Sequence, residues 1–526
     1  MLAAAIHLLR LTRAGFVLAR EGVFALVDAE ALPPGPRLGL RFARMLERKG
    51  AGTGAARLAA ALTRLGPTYV KLGQFLATRP DVVGQAISRD LETLQDRMAP
   101  FAQAEAEAAV VEALGKPLSE LFVSFGPVVA AASIAQVHRA EARRAESDDV
   151  NGKRTLAVKV LRPGIERWFQ HDLDSFFFVA RLAERHSDEA RRLRLVATVE
   201  TLARTVAIEM DLRLEAAALS ELAENTKNDP DFHVPAVDWE HTARRVLAIE
   251  WVDGIPLSDQ EKLKAAGHDL VRLGRVLIQS FLRQAIRDGF FHADLHPGNL
   301  FVDREGRLVA VDCGIMGRLG PKERRFLAEI LYGFITRDWY HTAEIHFEAG
   351  YVPAHHSIED FAQALRAIGE PIHDRRADEI SMAKLFTLLF EVTSLFDMRT
   401  RPELLLLQKT MVVVEGVARS LDPKLDMWAT AEPVVREWIE RHLGPVGRIE
   451  DTVSELGGIG RLLGSAPALL TRAAGTIERI EEQTRDGLVL SPGTVEAIGR
   501  AEARRWRWTA LALWVIAGLF AVWLLR

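Results

Sequence analysis

The spacing of apolar positions changes period several times along the chain. Over residues 1–120, runs such as AARLAAALTRLG place helix formers three and four apart, which predicts a helical segment. From about Leu121 to Ile165 the pattern shortens into the strand-like runs VVAAASIAQVHRA and TLAVKVL. The polar stretch RRAESDDVNGKR separates them, and its Asn151-Gly152 fits a hairpin turn. Helical spacing returns from Glu166 to about Asn225. The runs RRVLAIEWV and NLFVDREGRLVAVDCG then read as strands, and Pro321 to Gly444 is helix-rich again. Residues 445–500, with scattered glycine and charge, read as a helical connector. The chain has no internal repeat and no low-complexity tract.

The two ends differ from the body. Trp508 to Leu525, WTALALWVIAGLFAVWLL, carries no charge. Its length, at about 1.5 Å per residue, spans roughly 27 Å, close to the hydrocarbon thickness of a bilayer. Arg500, Arg504, Arg505 and Arg507 precede it, and Trp506, Trp508 and Trp523 mark its ends. A positive flank with interfacial tryptophans predicts a single-pass anchor whose N-terminal side, and so the catalytic body, is cytoplasmic. A buried core helix would normally keep a polar stripe, and this segment has none. At the other end, Arg10, Arg13 and Arg20 interrupt the apolar run MLAAAIHLLRLTRAGFVLAR and no cleavage site is evident, which argues against a secretory signal. An amphipathic helix resting on protein, or on a membrane surface, is the better reading.

Composition narrows the classes. In 526 residues the apolar fraction is 48% and the charged fraction 26%, which excludes a disordered or collagen-like chain and a many-helix channel. One cysteine excludes an internal disulfide scaffold. A net charge of −4 gives no sign of a nucleic-acid partner.

The chemistry lies in an ordered set. TLAVKVL places Lys159 in an apolar strand, where a lone ammonium needs a partner. FFHADLHPGNLFVD carries Asp294 and, five positions on, Asn299; LVAVDCG ends a strand on Asp312 beside Gly314. Strand lysine, Asp-x4-Asn loop and following Asp-x-Gly match the order of the protein-kinase set. Lysine neutralises nucleotide phosphates, Asn299 and Asp312 offer hard oxygen ligands to Mg2+, and Asp294 is placed to orient or deprotonate a nucleophile. A competing reading takes His292, Asp294 and His296 as a metal cluster, but leaves Asn299 and Asp312 without a task.

Further phrases carry a resemblance that extends over nearly the whole chain. RLGPTYVKLGQFLATRPD contains Lys71-x-Gly73-Gln74 and is followed by LETLQDRMAP; VAAASIAQVHRA stands where ordinary kinases have a Gly-rich loop; IEMDLRLEAA holds Glu209 and Asp211. With HADLHPGN and LAVKVLRPGIE, these resemble the UbiB/ADCK family of atypical kinases. The resemblance implies an α+β, two-lobed protein-kinase-like fold with a helical N-terminal extension and a C-terminal transmembrane helix. The divisions would be the extension over 1–120, the N-lobe over 121–255, the C-lobe over 256–445, the connector over 446–507 and the anchor over 508–525.

It also implies roles. ATP and Mg2+ would be the cofactors, with Val129, Ala130, Ala131, Ala132, Ser133, Ile134, Ala135, Gln136 and Val137 forming the nucleotide loop. Lys159 would contact the phosphates and pair with Glu215. Lys71, with Gln74 beside it, would reach from the extension toward Glu209 or Asp211 and cover the acceptor side, a regulatory arrangement that disfavours peptide substrates. Asp211 and Glu215, four apart, are expected on one helix face. Alanines in place of glycines restrict how closely backbone amides approach phosphates, so nucleotide would sit differently; the plain alternative is that AAAS begins a helix. Ala293 stands where an arginine precedes the catalytic Asp in ordinary kinases, and Cys313 where phenylalanine is expected.

The implied biology is ubiquinone biosynthesis at the inner (plasma) membrane. Membrane lipid and polyprenyl-phenol intermediates would be partners, along with other ubiquinone-biosynthesis proteins and a second copy of the chain. The family has also carried a 2-polyprenylphenol hydroxylase or monooxygenase label. Direct hydroxylation is rejected on sequence: GGIGRLLG at 457–464 misses the G-x-G-x-x-G spacing and opens no βαβ unit. An ATP-binding pseudokinase scaffold remains the third class.

Overall fold

The computed structural model describes residues 2–26, 34–48, 54–77, 98–143, 153–372 and 402–443, with scattered positions at 79–94 and 392–398. The chain divides into two compact units, Met1–Ile439 and Glu440–Arg526, and the architecture below is that of the first. The predicted connector, the segment 457–464 and the apolar tail lie outside the described residues. Among the described residues, no helix is long and apolar enough to cross a membrane.

The extension is helical. It comprises α1 (Leu2–Arg20), α2 (Pro34–Met45), α3 (Gly54–Leu65), α4 (Pro67–Ala77) and α5 (Gln103–Leu114). Pro67 opens α4, where a missing N–H costs nothing. Leu58, Leu62, Val70, Leu91 and Leu94 form the core of this region. Gly73 allows it to close: a Cβ there would lie 2.6 Å from Leu62 and 2.7 Å from Leu94. The glycine of the Lys-x-Gly-Gln phrase is thus a close-packing residue.

The N-lobe follows. After the single turn α6 (Leu118–Leu121) come β1 (Ser124–Ala131), β2 (Ala135–Arg143) and β3 (Lys153–Leu161), then α7 (Ile165–His186), α8 (Asp188–Leu193), α9 (Leu195–Glu209) and α10 (Leu212–Thr226). A two-residue β4 (Phe232–His233) precedes β5 (Val246–Glu250), which completes an antiparallel sheet of order β1-β2-β3-β5. Strand alternation sets its faces: Leu156, Val158 and Val160 are buried under Ala109 and Val110 of α5, so Lys159 falls on the opposite side. α1 packs on α3 and α7, with Ala14 and Ala19 buried and the Arg10 guanidinium donating to His171 O at 2.9 Å. Of the two surfaces expected for this helix, it rests on protein.

Trp251–Gly254 leads into the C-lobe, where β6 (Ile255–Pro256), β8 (Leu300–Val302) and β9 (Leu308–Ala310) join β4 in the order β4-β9-β8-β6. α11 (Gln260–Ala265) and α12 (Leu270–Leu282) come between, and α12 runs into a π-helical turn, Arg283–Asp288, just before β7 (Phe290–His292). β7 pairs with β10 (Met316–Arg318). Helices α13 (Pro321–Thr336), α14 (Trp339–Glu348), α15 (Ile358–Gly369) and α16 (Pro402–Leu421) follow, and α17 (Met427–His442) runs to the boundary of the unit.

Because Gly73 is packed on two leucines, Gly73→Val should destabilise the extension by about 1–3 kcal/mol through overpacking. A thermal melt with amide exchange across α4 checks this. An unchanged midpoint and unchanged α4 protection would refute the packing account.

Candidate active site

The site is built around one ammonium. Lys159 Nζ donates to Glu215 Oε1 and Oε2 at 2.8 and 2.9 Å, and to Asp312 Oδ2 at 3.3 Å. β3 aims the lysine, α10 supplies Glu215, and the backbone just after β9 supplies Asp312. Glu215 is 9% exposed, whereas Asp312 keeps 44% of its side chain open to the cleft. The charges follow from this crowding. Burial opposes the Lys159 charge, but Asp312 and Glu215 override it and hold the ammonium's pKa above its ordinary value. The protein walls around the cleft would raise Asp312 by desolvation, yet Lys159 and the Gly314 N–H, which donates to Oδ1 at 3.1 Å, keep it well below the usual carboxylate range. Glu215 is the carboxyl pushed up, to about 7, by burial first; Asp312 adds to the rise and Lys159 opposes it.

Across the cleft, Asn299 Nδ2 donates to Asp294 O at 3.1 Å and approaches Asp294 Oδ2 at 3.4 Å. That orients the amide so that Asn299 Oδ1 is the atom left for a ligand. The loop is tied at several points. Ala293 N donates to Ile315 O at 3.0 Å, Val311 N to Asn299 O at 3.1 Å, and Asp294 N to His292 Nδ1 at 3.0 Å. His292 is fully buried, and burial lowers its pKa. Among the described residues, the groups able to gather round a metal ion do not include His292, Asp294 and His296 together. The metal-cluster reading of those three has no geometry behind it.

The alanine loop is a hairpin end, not the start of a helix. Val129 and Ala130 are exposed on β1, Ala131 pairs with Gln136, and Ala132 N donates to Ala135 O at 2.8 Å around a turn through Ser133 and Ile134. Ser133, Ile134, Ala135 and Gln136 are buried, and Val137 lies opposite Lys159 in the sheet. The Gln136 side chain serves the sheet: Oε1 accepts the Phe101 N–H at 3.0 Å, and Nε2 donates to His138 Nε2 at 2.9 Å. His138 Nδ1 then donates to Gly126 O at 2.9 Å.

The extension reaches this region twice. Lys71 Nζ lies 2.7 Å from Glu209 Oε2, with both side chains 15% exposed. Glu209 ends α9, one short step before α10 and Glu215. Gln74 is half-buried one turn further along α4. Asp211 behaves differently from the sequence expectation. It stands outside α10 as its N-cap, accepting the Arg213 N–H at 3.2 Å and a guanidinium hydrogen bond at 2.9 Å from the same residue. These bonds hold its pKa low. An uncapped helix start captures a nearby carboxylate more readily than a helix face does. At the loop end, Arg162 donates to Ala99 O at 2.9 Å and lies over the Phe101 ring at 5.1 Å.

Comparison with known proteins places this geometry. Residues 93–346 match the ABC1 atypical kinase-like domain, and residues 365–426 match the UbiB helical domain. A protein of Marinobacter nauticus named "Probable protein kinase UbiB" is 38% identical over 480 residues, covering 88% of this chain and 84% of its own length. The chain belongs to the UbiB/ADCK family of atypical kinases. A Xanthomonas euvesicatoria relative of the same name is 40% identical over 447 residues, covering 83% of this chain and 80% of its own. Among solved structures, the complex of Rv3197 with erythromycin from Mycobacterium tuberculosis shares the fold, with a TM-score of 0.50 at 24% identity over 69% of this chain and 90% of that one.

Two residues of this UbiB-family site escaped the sequence reading. Thr410 of α16, in the helical domain, places its hydroxyl between Leu406 O of its own helix, at 2.8 Å, and Ala293 O, at 3.1 Å, which share its one proton. It meets the loop at the position where an ordinary kinase has its arginine. Gln284, in the π-helical turn, accepts the His292 N–H at 3.1 Å; such turns are frequent at functional sites. Neither has a local sequence signal, but the Gln-x-His spacing of Gln136 and His138 on one strand face could have been noticed. Cys313 is buried, and burial with neighbouring carboxylates raises its pKa well above that of a free thiol, so it is an inert filler beside Asp312.

The raised Glu215 pKa fixes a pH dependence. Between about pH 4.5 and 7 the folded chain holds a proton here that the unfolded chain has lost. The contribution to stability is complete below that window and is lost as pH rises through 7. Glu215→Gln should therefore flatten the decline in urea midpoint between pH 5 and pH 8 relative to wild type. Parallel pH profiles for the two proteins would show that Glu215 does not titrate there.

Proposed function

We propose that the chain is a Mg-ATP-dependent atypical kinase or ATPase that supports ubiquinone biosynthesis at the inner membrane. Polyprenyl-phenol intermediates or pathway proteins would be what it acts on or is stimulated by. The observation that carries this is the Lys159 ammonium held by Glu215 and Asp312, facing a loop in which Asn299 orients on Asp294. A surface lysine has no need of two carboxylates, whereas a phosphate-binding lysine must be aimed and kept charged.

The donor set fits a magnesium ion. Asp312 is open to the cleft with lone pairs to spare, and the free oxygen of Asn299 is a hard neutral ligand. When bound, the metal would neutralise charge building on the phosphates. Lys159 would bind the same phosphates electrostatically, giving up part of its hold on Asp312. Asp294, 44% exposed, would orient the attacking hydroxyl or water and accept its proton. The hairpin shape of the alanine loop would hold the nucleotide's near side by backbone amides. Lys71 on Glu209 ties the extension to the α9–α10 junction, which supports a cover over the acceptor side and a small or lipid-like acceptor.

Membrane tethering by the 508–525 helix is part of the proposal, and the surface of α2 agrees with it. Phe42 and Met45 are 65% and 80% exposed, and Leu40, on the other side of the helix, is buried. Exposed Arg41 and Arg48 flank that face. Apolar side chains between arginines on a solvent-facing helix suit a bilayer surface with anionic headgroups.

Purified protein in liposomes should release phosphate from ATP, and Asp312→Asn should lower the rate by about a hundredfold or more; equal rates would remove the catalytic assignment. A second test separates catalysis from scaffolding. In a cell deficient in this protein, Asp294→Asn should fail to restore quinone production although the protein accumulates normally, and full rescue would favour a scaffold.

A further inference from the structure

Away from the cleft, three side chains bring together the donor set of a transition-metal site. His355 and His356 occupy the turn between α14 and α15, and Asp397 lies in the stretch that precedes α16. Their ligand atoms all fall within 4.8 Å of one another. His355 Nε2 is 3.8 Å, and His356 Nε2 3.4 Å, from the same oxygen, Asp397 Oδ2. Ligands around a tetrahedral zinc ion, with bonds of about 2.0–2.1 Å, stand roughly 3.3 Å apart. The observed spacing is that of a three-sided cage needing only a small closure.

A second observation points the same way. His356 Nε2 is shut off from solvent yet makes no hydrogen bond; its approach to Asp397 is close but misaligned. A buried ring nitrogen without a partner is costly, and ligation of a metal satisfies its lone pair. The ring is packed among its neighbours. It packs on Phe396 at 5.3 Å, Phe396 itself lies edge-on against Phe361 at 4.9 Å, and the backbone N–H of His356 donates to Pro353 O at 3.2 Å, which fixes the turn that carries the ring. His355 and Asp397 are 66% and 69% exposed, so the outer side is open to water. Two imidazoles and one carboxylate select zinc over magnesium or calcium, which prefer all-oxygen sets.

We propose that His355, His356 and Asp397 bind one zinc ion, with water completing its coordination, and that the ion staples the 353–357 turn to the 392–398 stretch of the helical domain. The full-length protein, free of any affinity tag and stripped with chelator, is titrated with zinc by calorimetry and with cobalt by visible absorption. One equivalent of zinc should bind, cobalt should give the bands of a low-symmetry nitrogen–oxygen site, and zinc should raise the melting midpoint by several degrees. His355→Ala and Asp397→Asn, both at exposed positions, should weaken binding at least about tenfold and remove the thermal shift while leaving the metal-free melt unchanged. His356→Ala should do the same; should it fail to fold, the two exposed variants decide. Absence of a zinc equivalent in wild type, or its retention in these variants, overturns the site.

Discussion

Lys159 is a half-buried ammonium answered by two carboxylates from different lobes, and most of the surrounding architecture holds those three groups in place. Such a pair is a poor source of stability, because desolvating the charges offsets much of their attraction. Its value is positional. If Glu215 were displaced, the ammonium would lose its better partner and be left to the longer contact with Asp312, the group needed for a metal. The position of α10 is thus fixed from both ends of its first turn: Asp211 caps it, and Glu215 anchors its inner face. Glu209, just before the cap, carries the ion pair with Lys71. From α4 to the cleft, the extension and the central ammonium are joined by one short stretch of backbone.

What could be read from sequence follows from distance along the chain. Lys159, Asp294, Asn299 and Asp312 sit in short phrases whose spacing reflects local backbone shape, and the fold brings them to one cleft. The change of period at Leu121 and again at Glu166 corresponds to the start of the N-lobe sheet and of α7. Side-chain contacts between remote elements were not legible. Thr410 meets Ala293 across 117 positions, and nothing in either local sequence favours that partner over another carbonyl. The His355-His356 doublet gains its meaning only from Asp397, in another segment. Asp211 departs from the four-residue spacing for a different reason. Four-residue spacing is a sound rule inside a helix, but it fails at the boundary, where a carboxylate bonds the first-turn amides instead.

The alanine loop poses the sharpest physical question, because a loop without glycine cannot fold its amides freely around phosphates. The hairpin turn from Ala132 to Ala135 has a fixed shape, so something must set where it stands. Beneath it runs a closed series of hydrogen bonds: Phe101 N–H to Gln136, Gln136 to His138, His138 to Gly126 O. Burial keeps His138 neutral, which suits a ring that accepts on one nitrogen and donates from the other. Phe125 stacks on that ring at 4.6 Å and closes it off. The series starts in the segment leading into α5, where Arg162 also grips Ala99 and Phe101. The extension is therefore not a lid laid over a finished kinase-like domain. It supplies a hydrogen bond to the loop at one end and an ion pair to the α9–α10 junction at the other. Its removal would leave Gln136 Oε1 without its donor under the loop and Glu209 without its cation, altering both walls of the cleft at once.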